Sequence, residues 1–402
     1  MNSGAVSSRL SVSAPEEHAI PRLGFDLLAS KFRPPVARSG LVARSALVDR
    51  LATASEPIIS VVAPPGYGKT TLLGQWATRV SSRVAWVSCD DADNDPVVLL
   101  SALAVAVNGI QPVDQAVFAA LVSSGAGITF VPRFVSAIAG IDGRVVVVLD
   151  HVEAVTSNEC RDVIAEFAVR LPLGWQLVLS SRIDPPLPTA RLRAEGRLVE
   201  MVATDLAMDS REASALLKGA GVQAGAARVE ELLQLTEGWA AGLYLAALAT
   251  RAGAPESEVR SRFAGDDRFI GDYLRSELLD HLSDGEVSFM CRTSVLDRMC
   301  GPLCDAVLQR SGSGPFLEWM ERRNLLVVAL DRRREWYRYH YLLRELLETE
   351  LLRREPDLVA DLHLRAAGAR TLLRACPRVR AAGARTARGE AGAGREGRRG
   401  RA

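Results

Sequence analysis

Lysine is scarce in this sequence: three (Lys31, Lys69 and Lys218) stand against 46 arginines in 402 residues. One of those three, Lys69, sits in the only position where this sequence plainly asks for lysine. Cysteine is sparse too, and the six present (Cys89, Cys160, Cys291, Cys300, Cys304 and Cys376) include no C-x-x-C pair. That excludes a disulfide framework and a zinc ribbon, and leaves reduced, mostly core, thiols. No uncharged apolar run approaches the ~20 residues that a membrane span requires. The first residues are polar and carry Glu16 and Glu17 where a secretory peptide would place its apolar block. Residues 1–26 are therefore expected to be a disordered lead-in and the chain to be cytoplasmic.

What is present is an ordinary globular composition, 48% hydrophobic and 24% charged, long enough for two or three packed units. The net charge of +1 is a cancellation. Residues 365–402 hold 11 Arg and 2 Glu, whereas the preceding 364 residues hold 38 basic and 46 acidic side chains. The Ala/Gly/Arg tail from Arg365 shows no apolar periodicity, so it is expected to be disordered.

From Pro57 to about Val202, short β-branched runs alternate with helical stretches: Ile58–Ala63, Val84–Ser88, Val145–Leu149, Gln176–Ser180 and Leu198–Val202. This pattern predicts an α/β domain with a parallel sheet, the VVVVL run suiting a strand buried on both faces. After Asp205 helical spacing takes over, in Ser210–Lys218, Ala226–Leu235, Ala240–Thr250, Arg268–His281 and Gly285–Ser294. Near the end, Asn324–Leu330 and Glu335–His340 flank the polar turn Asp331-Arg332-Arg333-Arg334, which predicts a hairpin between helices, a winged-helix unit. The expected domains are 27–204 for the P-loop unit, 205–284 for a small helical domain, 285–364 for the winged helix and 365–402 for the tail.

The stretch from Ile58 to Thr71 reads strand, glycine loop, helix. In a P-loop the glycines let backbone N–H groups fold round a phosphate, the helix N-terminus adds its dipole, the lysine reaches the β- and γ-phosphates, and the next hydroxyl holds Mg²⁺. Gly66, Gly68, Lys69 and Thr70 fit these roles within a set spanning Pro65, Gly66, Tyr67, Gly68, Lys69, Thr70 and Thr71. Ala63 replaces the first glycine of the usual pattern. Gly143-Arg-Val-Val-Val-Val-Leu-Asp150 is the matching second element, a buried strand ending in a carboxylate, and Asp150 can join Thr70 in binding Mg²⁺. Position 151 is His rather than a second acid, so the general base is left open between Glu153, His151 and neither, and slow hydrolysis is expected. Arg182, after Leu177-Val-Leu-Ser-Ser181, is either a sensor of the γ-phosphate or a surface arginine. The acidic run Asp90, Asp91, Asp93 and Asn94 is better read as capping before Pro96 than as a metal site. The arginines at the hairpin tip are read as a solvated turn.

With these motifs on the page, the sequence resembles the MalT-like large LuxR-type regulators of the STAND class of signal-transduction ATPases. The resemblance runs from about Leu27 to His363, on APPGYGKTTLLGQWA, VAWVSCDDADNDPVVLLSAL, VVVVLDHVEAV, LVLSSRIDPPLPTARLRAEGRL, LTEGWAAGLYLAAL, RTSVLDRMCGPLCDAV and WYRYHYLLRELLETEL. It implies an ATP/ADP switch in which a nucleotide-binding, a helical and a winged-helix domain close over the nucleotide. It further implies that Arg44, in Leu41-Val-Ala-Arg44, lies near adenine, that Gly238-Trp239-Ala240 is the helical-domain motif with Ala240 where Pro is frequent, and that His340 contacts the β-phosphate of ADP. The implied partners are nucleotide, an unknown inducer and a second copy in the ATP state.

The sensor repeats and helix-turn-helix of full-length relatives are not visible, so DNA binding by this chain is doubtful and a truncated or frame-shifted gene is the expectation. The competing reading is a stand-alone P-loop NTPase, a kinase or remodelling ATPase. A third is an interaction scaffold with a degenerate site.

Overall fold

A computed structural model describes residues 27–35, 41–123, 127–251 and 268–375. The expected lead-in, 1–26, and the tail beyond 375 lie outside the described residues. The described residues divide into two compact units: one takes in 27–35, 45–62 and, from 69 to 202, the described residues; the other takes in 41–44, 63–68 and the described residues from 203 onward. None of the described helices is long and apolar enough to cross a membrane.

The first unit is a five-stranded parallel sheet in the order β2-β3-β4-β1-β5, formed by β1 (Ile58–Val62), β2 (Arg83–Ser88), β3 (Val145–Asp150), β4 (Gln176–Ser181) and β5 (Leu198–Val202). All residues of β1, β3 and β4 are buried, as a strand covered on both faces requires. The covering helices are α1 (Ser45–Thr53), α2 (Lys69–Ala77), α3 (Pro96–Asn108), α4 (Gln115–Ser123), α5 (Val131–Ile138), α6 (Asn158–Val169) and α7 (Thr189–Ala194). Helix α3 is apolar on nearly every side and buried from Leu99 to Asn108, the pattern of a helix inside a core. Its start is set locally: the Asp95 carboxylate accepts from the Val97 amide (2.7 Å) and Pro96 fills the first turn. Strand β4 lies between β1 and β3, in register Val62↔Ser181 and Leu149↔Leu179. The ends of β1, β3 and β4 thus emerge side by side at the carboxyl edge, where open α/β sheets bind ligands.

The second unit is helical: α8 (Ala203–Leu206), α9 (Ser210–Gly219), α10 (Ala226–Thr236), α11 (Ala240–Arg251) and α12 (Arg268–Glu277), then α13 (Asp284–Thr293), α14 (Gly301–Leu308) and α15 (Ser313–Arg322). The hairpin β6 (Val327–Ala329) and β7 (Tyr337–Tyr339) follows, antiparallel with Val327 opposite Tyr339. Its turn is built on Asp331, whose carboxylate accepts from the Arg333 (2.8 Å) and Trp336 (2.8 Å) amides. Helices α16 (Tyr341–Arg354) and α17 (Val359–Ala375) close the described chain. Three helices followed by a wing is the winged-helix arrangement that the sequence pattern predicts.

One expectation is corrected. The tail was expected to be disordered from Arg365, yet α17 continues through it to Ala375. Leu362, Ala366 and Ala369 are buried at helical spacing, and the Arg365 guanidinium reaches the Val307 carbonyl (3.3 Å) while pairing with Asp361. The stripe is made of alanines, which carry too little apolar surface to stand out from an Ala/Gly/Arg run but fit a close helix–helix approach.

Candidate nucleotide site

In the first unit, β3 delivers Asp150 to the sheet edge fully buried. Its Oδ1 accepts from the His151 amide (3.1 Å). Its Oδ2 is buried with no hydrogen-bond partner, and His151 Nε2 lies 3.6 Å from it. A buried carboxylate oxygen left unpaired is costly unless something else satisfies it. His151 holds a left-handed backbone (φ 60), a conformation that costs a non-glycine residue about 1–2 kcal/mol. It begins a 3₁₀ turn, Val152–Ala154, that carries Glu153.

Both Glu153 oxygens are engaged. Oε2 accepts from the Arg182 amide (3.0 Å), while Oε1 faces Arg182 Nε (3.2 Å) and His151 Nδ1 (3.5 Å). Burial alone would raise the Glu153 carboxyl, but His151, backbone amides and the Lys69 charge together hold it below the usual range. Glu153, with Asp150 in support, raises His151 against the opposing effects of burial and Lys69. Lys69, the first residue of α2, is buried at 7% exposure. The structure therefore brings Lys69, Asp150, Glu153 and Arg182 into one electrostatic group. Arg182 is half-buried and pairs with Glu153.

The loop between β1 and α2 groups with the second unit. Gly66 and Gly68 adopt φ of 79 and 80, which glycine reaches without a Cβ penalty. The Trp239 indole N–H donates to the Pro65 carbonyl (2.9 Å), and the Ala241 amide, in the first turn of α11, donates to the Gly66 carbonyl (3.0 Å). A Cβ on Gly66 would lie 2.6 Å from both Ala241 Cβ and Trp239 Nε1; one on Gly68 would meet nothing within 4 Å. Tyr67 is buried, and burial with the Glu237 charge pushes its phenol up. Thr70 and Thr71 follow in the first turn of α2, both half-buried.

Arg44 and His340, also assigned by resemblance, lie in the second unit as well. The buried Arg44 guanidinium donates to the Leu206 carbonyl (2.8 Å) and pairs with Glu212 (2.9 Å), tying down α8 and α9. His340 is buried at the N-terminus of α16, its Nδ1 accepting from the Leu342 amide (3.3 Å) and its Nε2 lying 3.0 Å from the Thr236 carbonyl. Both ring nitrogens are thus in use, with the proton on Nε2. Burial pushes His340 down despite Glu237. Its ring meets the Trp239 ring edge-on at 6.0 Å. Glu237 and Arg338 form a two-pronged pair (2.6 Å each) beside it.

Sequence reasoning missed this pair, the role of Trp239 as a donor to the loop, and the ion pair of Lys31 with Asp93 (2.6 Å) and Asp90 (2.8 Å). Only the scarcity of lysine pointed to the last. The acidic run itself caps as expected: Asp90 accepts from the Ala92 amide (3.0 Å) and Asp93 from the Asp90 amide (2.8 Å).

In the second unit, the open space over Gly68 suits a phosphate; in the first, the unpaired Oδ2 of Asp150 suits a metal ion. Comparison with known proteins agrees in kind. Residues 275–359 match the MalT winged helix domain. The chain is 32% identical over 346 residues to the serine/threonine-protein kinase PknK of Mycobacterium tuberculosis, covering 84% of this chain and 31% of that protein. It is 30% identical over 344 residues to the HTH-type transcriptional regulator MalT of Serratia proteamaculans, covering 83% and 38%. It thus spans about a third of the length of these relatives. Among solved structures, a Walker-type ATPase of Pyrococcus abyssi superposes with a TM-score of 0.54 at 14% identity, over 76% of this chain and 96% of that one, a likeness of fold. The chain is a MalT-like sequence along most of its length, built on a P-loop NTPase fold and carrying the MalT winged helix domain at residues 275–359.

Proposed function

We propose that the chain is the ATP/ADP-binding switch module of a MalT-like regulator, working in the cytoplasm and turning ATP over slowly with Mg²⁺. The observation that carries this reading is the loop of residues 63–69, with two left-handed glycines between a buried strand and a helix that opens on Lys69, in a chain whose Asp150 keeps a buried oxygen unpaired. Pro65 to Thr71 would cradle the phosphates, with Lys69 countering their charge. Thr70 and Asp150 would hold Mg²⁺, which when bound neutralises charge on the phosphate oxygens. Glu153 is clasped by Arg182 and His151 rather than free to take a proton, which favours slow turnover. Arg182 would report the γ-phosphate through that clasp. Arg44 and His340 would act by fixing the second unit rather than by touching nucleotide in this arrangement. An inducer and self-association in the ATP state complete the switch, as differential affinities for two states.

The test is equilibrium titration of the purified chain with Mg·ATP and ADP. Binding that Lys69→Ala weakens at least 100-fold supports the reading, and binding that survives the substitution defeats the site. Turnover well above one per minute without inducer would favour the stand-alone NTPase instead.

A further inference from the structure

Asn94 belongs to the acidic run that caps the helix before Pro96 and has no assigned part in nucleotide chemistry, yet its side-chain amide is used in full. Its Oδ1 accepts from the Thr156 amide (2.7 Å), the Ser157 amide (2.7 Å) and the Thr156 hydroxyl (3.2 Å). Its Nδ2 donates to the carbonyls of Ala154 (2.9 Å) and Asp91 (3.1 Å). One short side chain, 60 residues away in sequence, thus holds both ends of the segment joining the Val152–Ala154 turn to α6. Ser157, the N-cap of α6, makes no side-chain cap of its own, and Asn94 instead accepts from the Ser157 and Thr156 amides that lead into the helix.

The base from which Asn94 acts is rigid. The Asp91–Asn94 turn follows β2 directly, and the Cys89 amide donates to the Asp150 carbonyl (2.8 Å), extending the β2–β3 ladder to the point where both chains leave the sheet. Asp93 is fully buried and bound by Lys31, itself 6% exposed, and by the Asp90 amide. On the far side of the held segment sit His151 in its left-handed conformation and Glu153 in its clasp. A strained backbone of this kind persists only where its surroundings over-determine it.

We propose that Asn94 is a positioning residue: by fixing Ala154 to Ser157 it sets the turn that carries His151 and Glu153, and so places the Glu153 carboxylate against Arg182 beside Asp150. This rests on the nucleotide-switch reading for its purpose, but its geometry can be tested without it. The Arg182 amide donates to Glu153 Oε2, so its exchange with solvent reports whether Glu153 is in place, although Arg182 belongs to the end of another strand and does not touch Asn94.

The experiment compares hydrogen–deuterium exchange, resolved to single amides, in the full chain and in Asn94→Ala, with and without ADP. The expected result is exchange at least ten times faster at Thr156, Ser157 and Arg182, with α3 unchanged. Faster exchange at Thr156 and Ser157 with Arg182 unchanged would overturn the proposal, leaving Asn94 a local cap. Faster exchange throughout the first unit would overturn it as well. Should Asn94→Ala not fold, Asn94→Ser, a milder truncation, carries the same comparison with the same outcomes. Where the parent chain turns ATP over, Asn94→Ala should raise kcat several-fold with KM within a factor of two, because it frees Glu153 from the clasp that slows turnover, and a KM rise with unchanged kcat contradicts the assignment. A parent chain that binds no nucleotide defeats the switch reading but leaves the exchange result at Arg182 to decide this one.

Discussion

Gly66 and Gly68 share a backbone conformation but not an environment, and substituting alanine at each separates folding from ligand binding. At both positions a Cβ in the left-handed region costs roughly 1–2 kcal/mol. At Gly66 the new methyl would also sit 2.6 Å from Ala241 Cβ and Trp239 Nε1 and 3.0 Å from the Tyr273 hydroxyl. That overlap forces the loop and α11 apart at a further cost of about 1–3 kcal/mol. It also loosens the hydrogen bonds to the Pro65 and Gly66 carbonyls. Gly66→Ala should therefore lower unfolding free energy by about 2–5 kcal/mol. Gly68→Ala meets no protein atom within 4 Å, so its cost should stay near ~1–2 kcal/mol. If that open space receives a phosphate, however, Gly68→Ala should weaken binding of a fluorescent ADP analogue at least tenfold. The assay is urea unfolding followed by far-UV circular dichroism, paired with fluorescence titration. Equal destabilisation by the two substitutions would refute the packing argument, and undiminished affinity in Gly68→Ala would refute the phosphate assignment.

Acid should act on α12 and α16 through Glu350, which is buried and bonded by Arg353, Arg354 and Arg275. Burial alone would raise this carboxyl, but the three arginines hold it at about 2. Because the folded value lies below the unfolded one, its contribution is complete above pH ~4.5 and is lost as pH falls toward 2. The arginines are 37–66% exposed, and solvent screening reduces the contribution to about 1–2 kcal/mol. A Glu350→Gln chain should show a flatter fall in Tm between pH 4.5 and 2.5 than the parent, and parallel curves would count against the pairing. Lys31→Met should cost about 3–5 kcal/mol by stranding the Asp93 charge in the core. The double variant Lys31→Met/Asp93→Asn should recover most of that loss in urea unfolding, and no recovery would show that the charge was not what the lysine balances.

The β-branched runs announced all five strands because they recur between helical stretches, though only β1, β3 and β4 are buried along their whole length, and the loop before Lys69 announced itself because phosphate cradles need glycine at fixed spacing. The acidic run was legible as capping, since Asp90, Asp93 and Asp95 bond within a few residues. Illegible were the pairings that span sixty or more residues: Lys31 with Asp93, Asn94 with Thr156, Glu237 with Arg338. Each residue alone resembles a solvated surface group, and only the fold brings its partner near. His340 shows the limit of resemblance, since a motif names the residue but not the Thr236 carbonyl and Leu342 amide that occupy its ring. Residues 365–369 show the limit of periodicity, since Ala366 and Ala369 are buried on a helix while leaving little hydrophobic signal.

The central claim is that this chain holds an adenine nucleotide through the loop ending at Lys69. The most direct measurement is to denature the protein as purified, separate the released small molecules and quantify nucleotide per chain, beside the Lys69→Ala variant. The account predicts close to one ADP per chain from the parent and none from the variant. No nucleotide from the parent, together with no binding of added ADP or ATP, would contradict it.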